Sequence, residues 1–268
     1  MPDERLPNLS SDDVVRWVQR AAVAVSTYYE RFPATKLNIR IHYFSGVGVR
    51  HGVTYPYGGG LINISVGRNT SPDDLESDWT MTHEMIHLAF PSMSDDYHWI
   101  EEGISTYVEP VARAQAGQMP VAEVWQQFVD EMPKGATAVE NAGLDEKQTW
   151  ASTYWGGALF CLVADVRIRE QTHNKKGLAD ALRAILAGGG VITQDWPIEK
   201  AFQVGDAATG TRVLQDLHKE MGSRSDRVDL NLLWQKLGVS VANGHIRFDD
   251  KAPEAEIRKA ITQVGRRS

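Results

Sequence analysis

Over residues 14–28 the apolar positions Val14, Trp17, Val18, Ala21, Val25 and Tyr28 recur at intervals of three and four, just after Ser10, Ser11 and Asp12. That spacing predicts a capped amphipathic helix, ended near Pro33. The period then changes to two: Leu37, Ile39, Ile41 and Tyr43 alternate with polar residues over 36–44, the pattern of a half-buried strand. Two further short strands are predicted at about 50–56 and 61–66, joined by a turn at Gly58, Gly59 and Gly60. Ser71 and Pro72 open a helix with Asp73, Asp74 and Glu76 in its first turn, where carboxylates complement the helix dipole, and the pattern carries it to Pro91. Another helix starts near 98, with Pro110 as an expected kink or break. Beyond it the helical period recurs near 119–132, 149–172, 176–188, 208–221 and 229–236, and Asn243-Gly244 between alternating residues predicts a hairpin. The expected class is α+β: a small mixed sheet with helices over residues 1–118, then a mainly helical part over 119–268, the two forming one continuous unit.

The helix predicted to end at Pro91 carries the most chemistry. Residues 83–87 read HEMIH, so His83 and His87 lie four apart on one helix face, where two imidazoles reach one tetrahedral metal. Glu84, one step round the helix, is placed to take a proton from metal-activated water rather than to ligate. A third protein ligand is needed, and the next helix offers Glu101, Glu102 and Glu109. Glu102 is preferred because Gly103 follows it, and a missing Cβ lets two helices approach closely. Glu101 then reads as a solvated charge and Glu109 as half of an ion pair. The expected cofactor is one zinc ion held by His83, His87 and Glu102.

Composition narrows the partners. With 35 acidic and 28 basic side chains the formal charge is −7, and no basic run or glycine-rich phosphate loop offsets it, so a nucleic-acid partner is not expected. No apolar run approaches the length of a membrane span, and residues 1–13 hold no signal-peptide core. As it stands the chain is expected to be soluble and cytoplasmic, or periplasmic or secreted if a leader has been removed. The single cysteine, Cys161, excludes an intrachain disulfide and reads as a small buried hydrophobe. Nothing in the composition speaks to oligomeric state.

HEMIH followed by WIEEGISTY resembles the paired motifs H-E-x-x-H and W-x-x-E-G-x-x-x-Y of the gluzincin metallopeptidases, especially the aminopeptidase N and glycyl aminopeptidase families. TYWGGALFCLVADVRIRE is similar to the glycyl aminopeptidase segment in which a tyrosine precedes a glycine-rich apolar helix. The resemblance spans about residues 55–190. It implies a thermolysin-like zincin core, peptide or protein substrates, and a zinc-dependent metallopeptidase with His83, His87 and Glu102 as ligands and Glu84 as general base. It also implies that Tyr154 stabilises the oxyanion, which a phenol beside the metal does by donating a hydrogen bond to the oxygen that turns negative.

Two departures bear on substrate. The spacer between His87 and Glu102 is shorter than in either family, and where the glycyl aminopeptidases carry Gly-Leu-Glu-His this chain has Gly60, Leu61, Ile62 and Asn63. An aminopeptidase reading is weakened by the missing acid. Backbone binding of an extended peptide along Gly59, Gly60 and Leu61 needs no particular side chain and stays open. Thr106, one turn after Glu102, is a candidate to orient a ligand. His98 reads as a histidine on the cleft rim, while Asp165 and Arg167 read as structural ion pairs. Trp99, Trp150 and Trp155 fall near the expected site, although core packing accounts for most of the eight tryptophans. A zinc-site protein that binds peptides without cleaving them, and a zinc hydrolase of a non-peptide amide or ester, are alternatives the residues leave open.

Overall fold

The computed structural model describes residues 6–146, 149–222 and 227–263. Its first helix, α1 (Ser11–Tyr29), starts as the pattern predicts: the Ser10 hydroxyl accepts from the Asp13 N–H at 3.2 Å, and the Asp13 carboxylate accepts from the Ser10 N–H at 2.7 Å. Its apolar stripe, including Trp17, Ala21, Val25 and Tyr28, is buried. Three strands follow, β1 (Asn38–Phe44), β2 (Val49–Tyr55) and β3 (Leu61–Gly67), in the spatial order β1-β3-β2. β1 runs parallel to β3 and β2 antiparallel to it, so the sheet is mixed. The alternation seen in the sequence sends Ile62, Ile64 and Val66 of the middle strand into the core.

One expected helix is two. The run over 72–91 divides into α2 (Pro72–Glu76) and α3 (Thr80–His87). The Asp78 carboxylate accepts the N–H groups of Thr80 at 2.9 Å and Met81 at 3.1 Å, capping α3, and it also takes the indole N–H of Trp17 at 2.8 Å. A continuous helix would leave Asp78 no such use. By contrast α4 (His98–Gln115) runs through Pro110 as one element, held by burial of Ile104, Tyr107, Val108 and Val111. The expected break there does not occur.

The remaining helices are α5 (Val121–Ala142), a π-helical turn (Ala151–Gly156) leading into α6 (Gly157–Gln171), α7 (Leu178–Ala187), α8 (Ile198–Thr209), α9 (Val213–Met221), α10 (Leu230–Leu237) and α11 (Ala255–Thr262). The hairpin β4 (Val239–Ala242) and β5 (His245–Phe248) turns at Asn243 and Gly244, whose φ values of 54° and 77° suit a tight two-residue turn. The pattern had not marked α8, which carries Gly205, or the eight-residue α11.

A single buried apolar cluster extends from Leu6 to Ile261, so the α+β class expected from the pattern is the class observed. No helix among the described residues is long and apolar enough to cross a membrane. Two close contacts position the site. The short connection between α3 and α4 is pinned by backbone pairing: Ser92 N–H donates to the Gln194 carbonyl at 2.9 Å, and Trp196 N–H to the Ser92 carbonyl at 3.2 Å. Helices α4 and α6 meet at Gly103 and Gly157, where a Cβ added to Gly103 would stand 2.4 Å from the Gly157 Cα. Gly103 therefore does allow a close helix approach, as expected, but its partner is α6 rather than the helix of the HEMIH motif.

Candidate functional site

Helix α3 presents His83 and His87 on one face, with imidazole centroids 5.0 Å apart. From α4, Glu102 points back toward them. Its Oε2 lies 3.1 Å from the His83 Nε2 and 3.6 Å from the His87 Nε2. These separations test the site for a metal. Ligand atoms placed tetrahedrally at zinc-ligand bond lengths are about 3.3 Å from one another, so these separations match a shared ion. Glu84 also has an oxygen within 4.8 Å of the histidine nitrogens. It is committed elsewhere: the Thr54 hydroxyl, on β2, lies 2.6 Å from its Oε2 and 2.9 Å from its backbone carbonyl. Glu102 is thus the carboxylate more available to the two imidazole nitrogens, while Thr54 holds Glu84 to one side.

The other two carboxylates have separate partners. Glu109 is buried and accepts from Arg113 at 2.8 Å, the ion pair expected of it. Glu101 accepts from the Met93 N–H at 3.4 Å and lies 3.3 Å from the His98 Nδ1. The Nε2 of that same histidine is 3.4 Å from the second oxygen of Glu102. His98 is half-exposed and sits at the rim, as its spacing suggested, but it also bridges the two acids at the start of α4.

Residues around the ligands hold them in place. Ser105, fully buried, has its Oγ 3.2 Å from the His87 Nδ1, so an Nδ1–H donating to Ser105 leaves Nε2 free for a metal. The hydroxyl of Thr106, the expected orienting residue, is buried and finds no hydrogen-bond partner. One residue along a helix is a turn of about 100°, enough to exchange the two roles. Asp165 and Arg167 do form ion pairs, with Arg169 and Glu220, both at 2.7 Å.

Burial and charge set the protonation of the group. Burial drives the His87 pKa down to about 4, with the neighbouring Glu102 opposing. Burial also disfavours a charged His83, yet the hydrogen bond and charge of Glu102 outweigh it and raise that pKa. Glu102 is held down at about 2 because its histidine partners overcome its desolvation. Desolvation raises Glu84, against the pull of His83 and the Thr54 hydrogen bond. Tyr154, on the π-helical turn, stacks near His83 with centroids 6.2 Å apart at 20°. Desolvation, followed by the charges of Glu102 and Glu84, pushes its phenol up to about 12, so it keeps its proton and stays a donor at neutral pH.

The sheet corrects one expectation. Gly59 and Gly60 form the turn between β2 and β3, and Leu61 opens β3, which is the middle strand: Leu61 pairs with Asn38 on one side and Tyr55 on the other. Both edges of that strand are taken, so no extended peptide can add to Gly59, Gly60 and Leu61 there. The outer strands β1 and β2 each keep one free edge, and the one beside the HEMIH helix is that of β2. Its register jumps between Arg50 and Val53 across a bulge containing His51, at φ 51°, and Gly52. A Cβ on Gly52 would stand 2.4 Å from the Glu84 Cγ, so only glycine lets this strand cross the base so closely. Thr54, Gly52 and Ser105 were not singled out from the sequence. The available signal was the alternation of Val53, Thr54 and Tyr55, which marks a strand without saying which edge stays open.

No family model matches the chain, and no curated protein matches it. Among solved structures it is similar to an aminopeptidase N family protein from Idiomarina loihiensis, with a TM-score of 0.61 at 14% identity over 87% of this chain. It is also similar to an M1 zinc metallopeptidase from Deinococcus radiodurans, with a TM-score of 0.50 at 14% identity over 84% of this chain. In both cases the chain spans 46% of the length of the structure it matches. The likeness is one of fold, and the fold is that of the structures to which the HEMIH and WIEEGISTY motifs pointed.

Proposed function

We propose that the chain is a zinc-dependent peptidase of the gluzincin type, with His83, His87 and Glu102 as metal ligands and Glu84 as general base. The observation that carries this reading is the Glu102 oxygen at 3.1 and 3.6 Å from the two imidazole nitrogens, while Thr54 holds Glu84 to one side. The fold likeness to an M1 zinc metallopeptidase supports it. A zinc ion, when bound, supplies Lewis acidity toward a carbonyl oxygen and toward water.

The chain's own groups supply the rest. The exposed edge of β2 offers backbone donors and acceptors to an extended peptide and lays it across Glu84. Glu84 takes a proton from the water that attacks the scissile carbonyl and returns it to the departing amine. Tyr154 donates its phenolic hydrogen to the oxygen that becomes negative. Ser105 keeps His87 in the tautomer that presents Nε2. The Glu84→Gln protein, loaded with zinc and given a mixed peptide library read by mass spectrometry, is expected to keep its zinc and lose about 10²- to 10⁴-fold in cleavage. A variant as active as the parent would remove Glu84 from the reaction.

A further inference from the structure

Two indoles stand open to water beside the site. Trp79 is 52% exposed and Trp150 is 61% exposed, whereas Trp99 and Trp125 are wholly buried. Each open ring touches a residue of the site. Trp79 meets the His83 imidazole edge to face with centroids 5.6 Å apart, and Trp150 stacks on Tyr154 at 5.8 Å and 25°. Tyr154 in turn lies nearly parallel to His83. Four rings therefore run as one row, Trp150, Tyr154, His83, Trp79: the middle pair belongs to the chemistry and the two ends face solvent.

Helical spacing puts each end ring one turn from its neighbour, Trp79 four residues before His83 and Trp150 four before Tyr154, but does not account for the exposure of either indole. The Trp79 carbonyl accepts from the His83 N–H at 3.1 Å to begin α3, but its indole makes no capping bond, and Trp150 stands before the π-helical turn with most of its surface uncovered. Single exposed hydrophobes are ordinary in a soluble protein. These two indoles stand at opposite ends of a ring row that passes through His83 and Tyr154, and so flank the candidate site. Indole faces bind large apolar and aromatic groups well, since they bring wide, rigid contact area at little conformational cost.

We propose that Trp150 and Trp79 are specificity residues that select peptides with a large apolar or aromatic side chain beside the scissile bond; this rests on the peptidase reading above. An apolar pocket contact discriminates between side chains by about 10- to 200-fold, and an open indole belongs near the low end, about tenfold for each ring.

The test uses short alanine-based peptides in which one position carries Phe, Leu, Ser or Glu. Cleavage by the zinc-loaded protein is measured together with binding of the same labelled peptides to zinc-loaded Glu84→Gln, read by fluorescence anisotropy. The Phe and Leu peptides are expected to exceed Ser by about tenfold or more, through KM and Kd rather than kcat. That ratio falls by about tenfold in Trp150→Ala and in Trp79→Ala, toward one in the double variant, and Trp150→Phe restores it. A purely structural role, in which Trp150 only steadies Tyr154, would instead lower kcat for all peptides alike and overturn the proposal. So would a parent without preference, or a preference that survives the double alanine variant; cleavage in those cases leaves the peptidase reading standing. Binding that shows the preference and loses it in the variants, with no peptide cleaved, upholds the aromatic row and removes the peptidase reading. Neither cleavage nor binding overturns both. If an alanine variant fails to fold, Trp150→Gln and Trp79→Gln replace it with a polar surface residue and the same ratios are read.

Discussion

Gly103→Ala sets two effects of known sign against each other. Alanine in a helix interior is favoured over glycine by about 1 kcal/mol, so propensity alone makes the variant more stable. Packing opposes it. The new Cβ would stand 2.4 Å from both the Cα and the carbonyl carbon of Gly157 and 2.8 Å from its oxygen. Ordinary carbon contacts begin near ~3.5 Å, so α4 and α6 must part by about 1 Å. The obstructing atoms are backbone and cannot rotate away, which places the cost at or above the upper end of the ~1–3 kcal/mol typical of overpacking. The expected net loss is about 2 kcal/mol, which at ~2–4 °C per kcal/mol lowers the melting temperature by about 4–8 °C. Function suffers more, because Glu102 adjoins Gly103 and Tyr154 lies three residues before Gly157. A misplacement of ~1 Å between such groups costs about 10²-fold in rate. Thermal melts followed by circular dichroism, with peptide cleavage at a temperature where the variant is folded, measure both. A variant that melts at or above the parent would show that propensity wins and that the two helices do not meet at these glycines.

Two further expectations concern the metal. Ser105→Ala removes the partner of the His87 Nδ1 and should weaken zinc binding by about 10- to 100-fold in chelator competition, whereas Thr106→Val, whose hydroxyl makes no hydrogen bond, should leave it unchanged; equal affinities in the two variants would refute the assignment. Zinc uptake should also depend on pH in a defined way. Metal binding needs neutral imidazoles: His87, driven down to about 4, is already neutral near pH 7, while the raised pKa of His83 makes zinc compete with a proton there at a higher pH than for an ordinary imidazole. Affinity is then level above the His83 pKa and falls by about tenfold per pH unit below it, with one proton released per zinc. Two protons released near neutrality would contradict this.

The candidate site residues were legible because they lie on one helix or follow from a single ligand count. Spacings of four on α3 and the Glu102-Gly103 pair need no knowledge of the rest of the fold. Where the reading slipped, a distant group had intervened. Trp17, sixty-one residues away, shares the Asp78 carboxylate that ends one helix and begins another. The choice between Ser105 and Thr106 depends on how α4 is rotated against α3, and that rotation is set by packing on α6 through Gly103 and Gly157. The open strand edge followed from the order β1-β3-β2, and strand order is a long-range pairing that no local period encodes.

By itself the chain's order of residues determined most helices and strands of the α+β class and the spacing that makes His83, His87 and Glu102 candidate metal donors with Glu84 as a candidate base beside them, since helix and strand periods and ligand spacing act over a few residues. Only the tertiary structure decided what surrounds those donors: Thr54 on Glu84, Ser105 on His87, Gly52 of the open edge over the base, and the ring row from Trp150 to Trp79. The two end rings of that row sit one helical turn from their neighbours, but the Thr54, Ser105, Gly52 and Tyr154–His83 contacts join elements far apart along the chain, brought together by burial of one continuous apolar core.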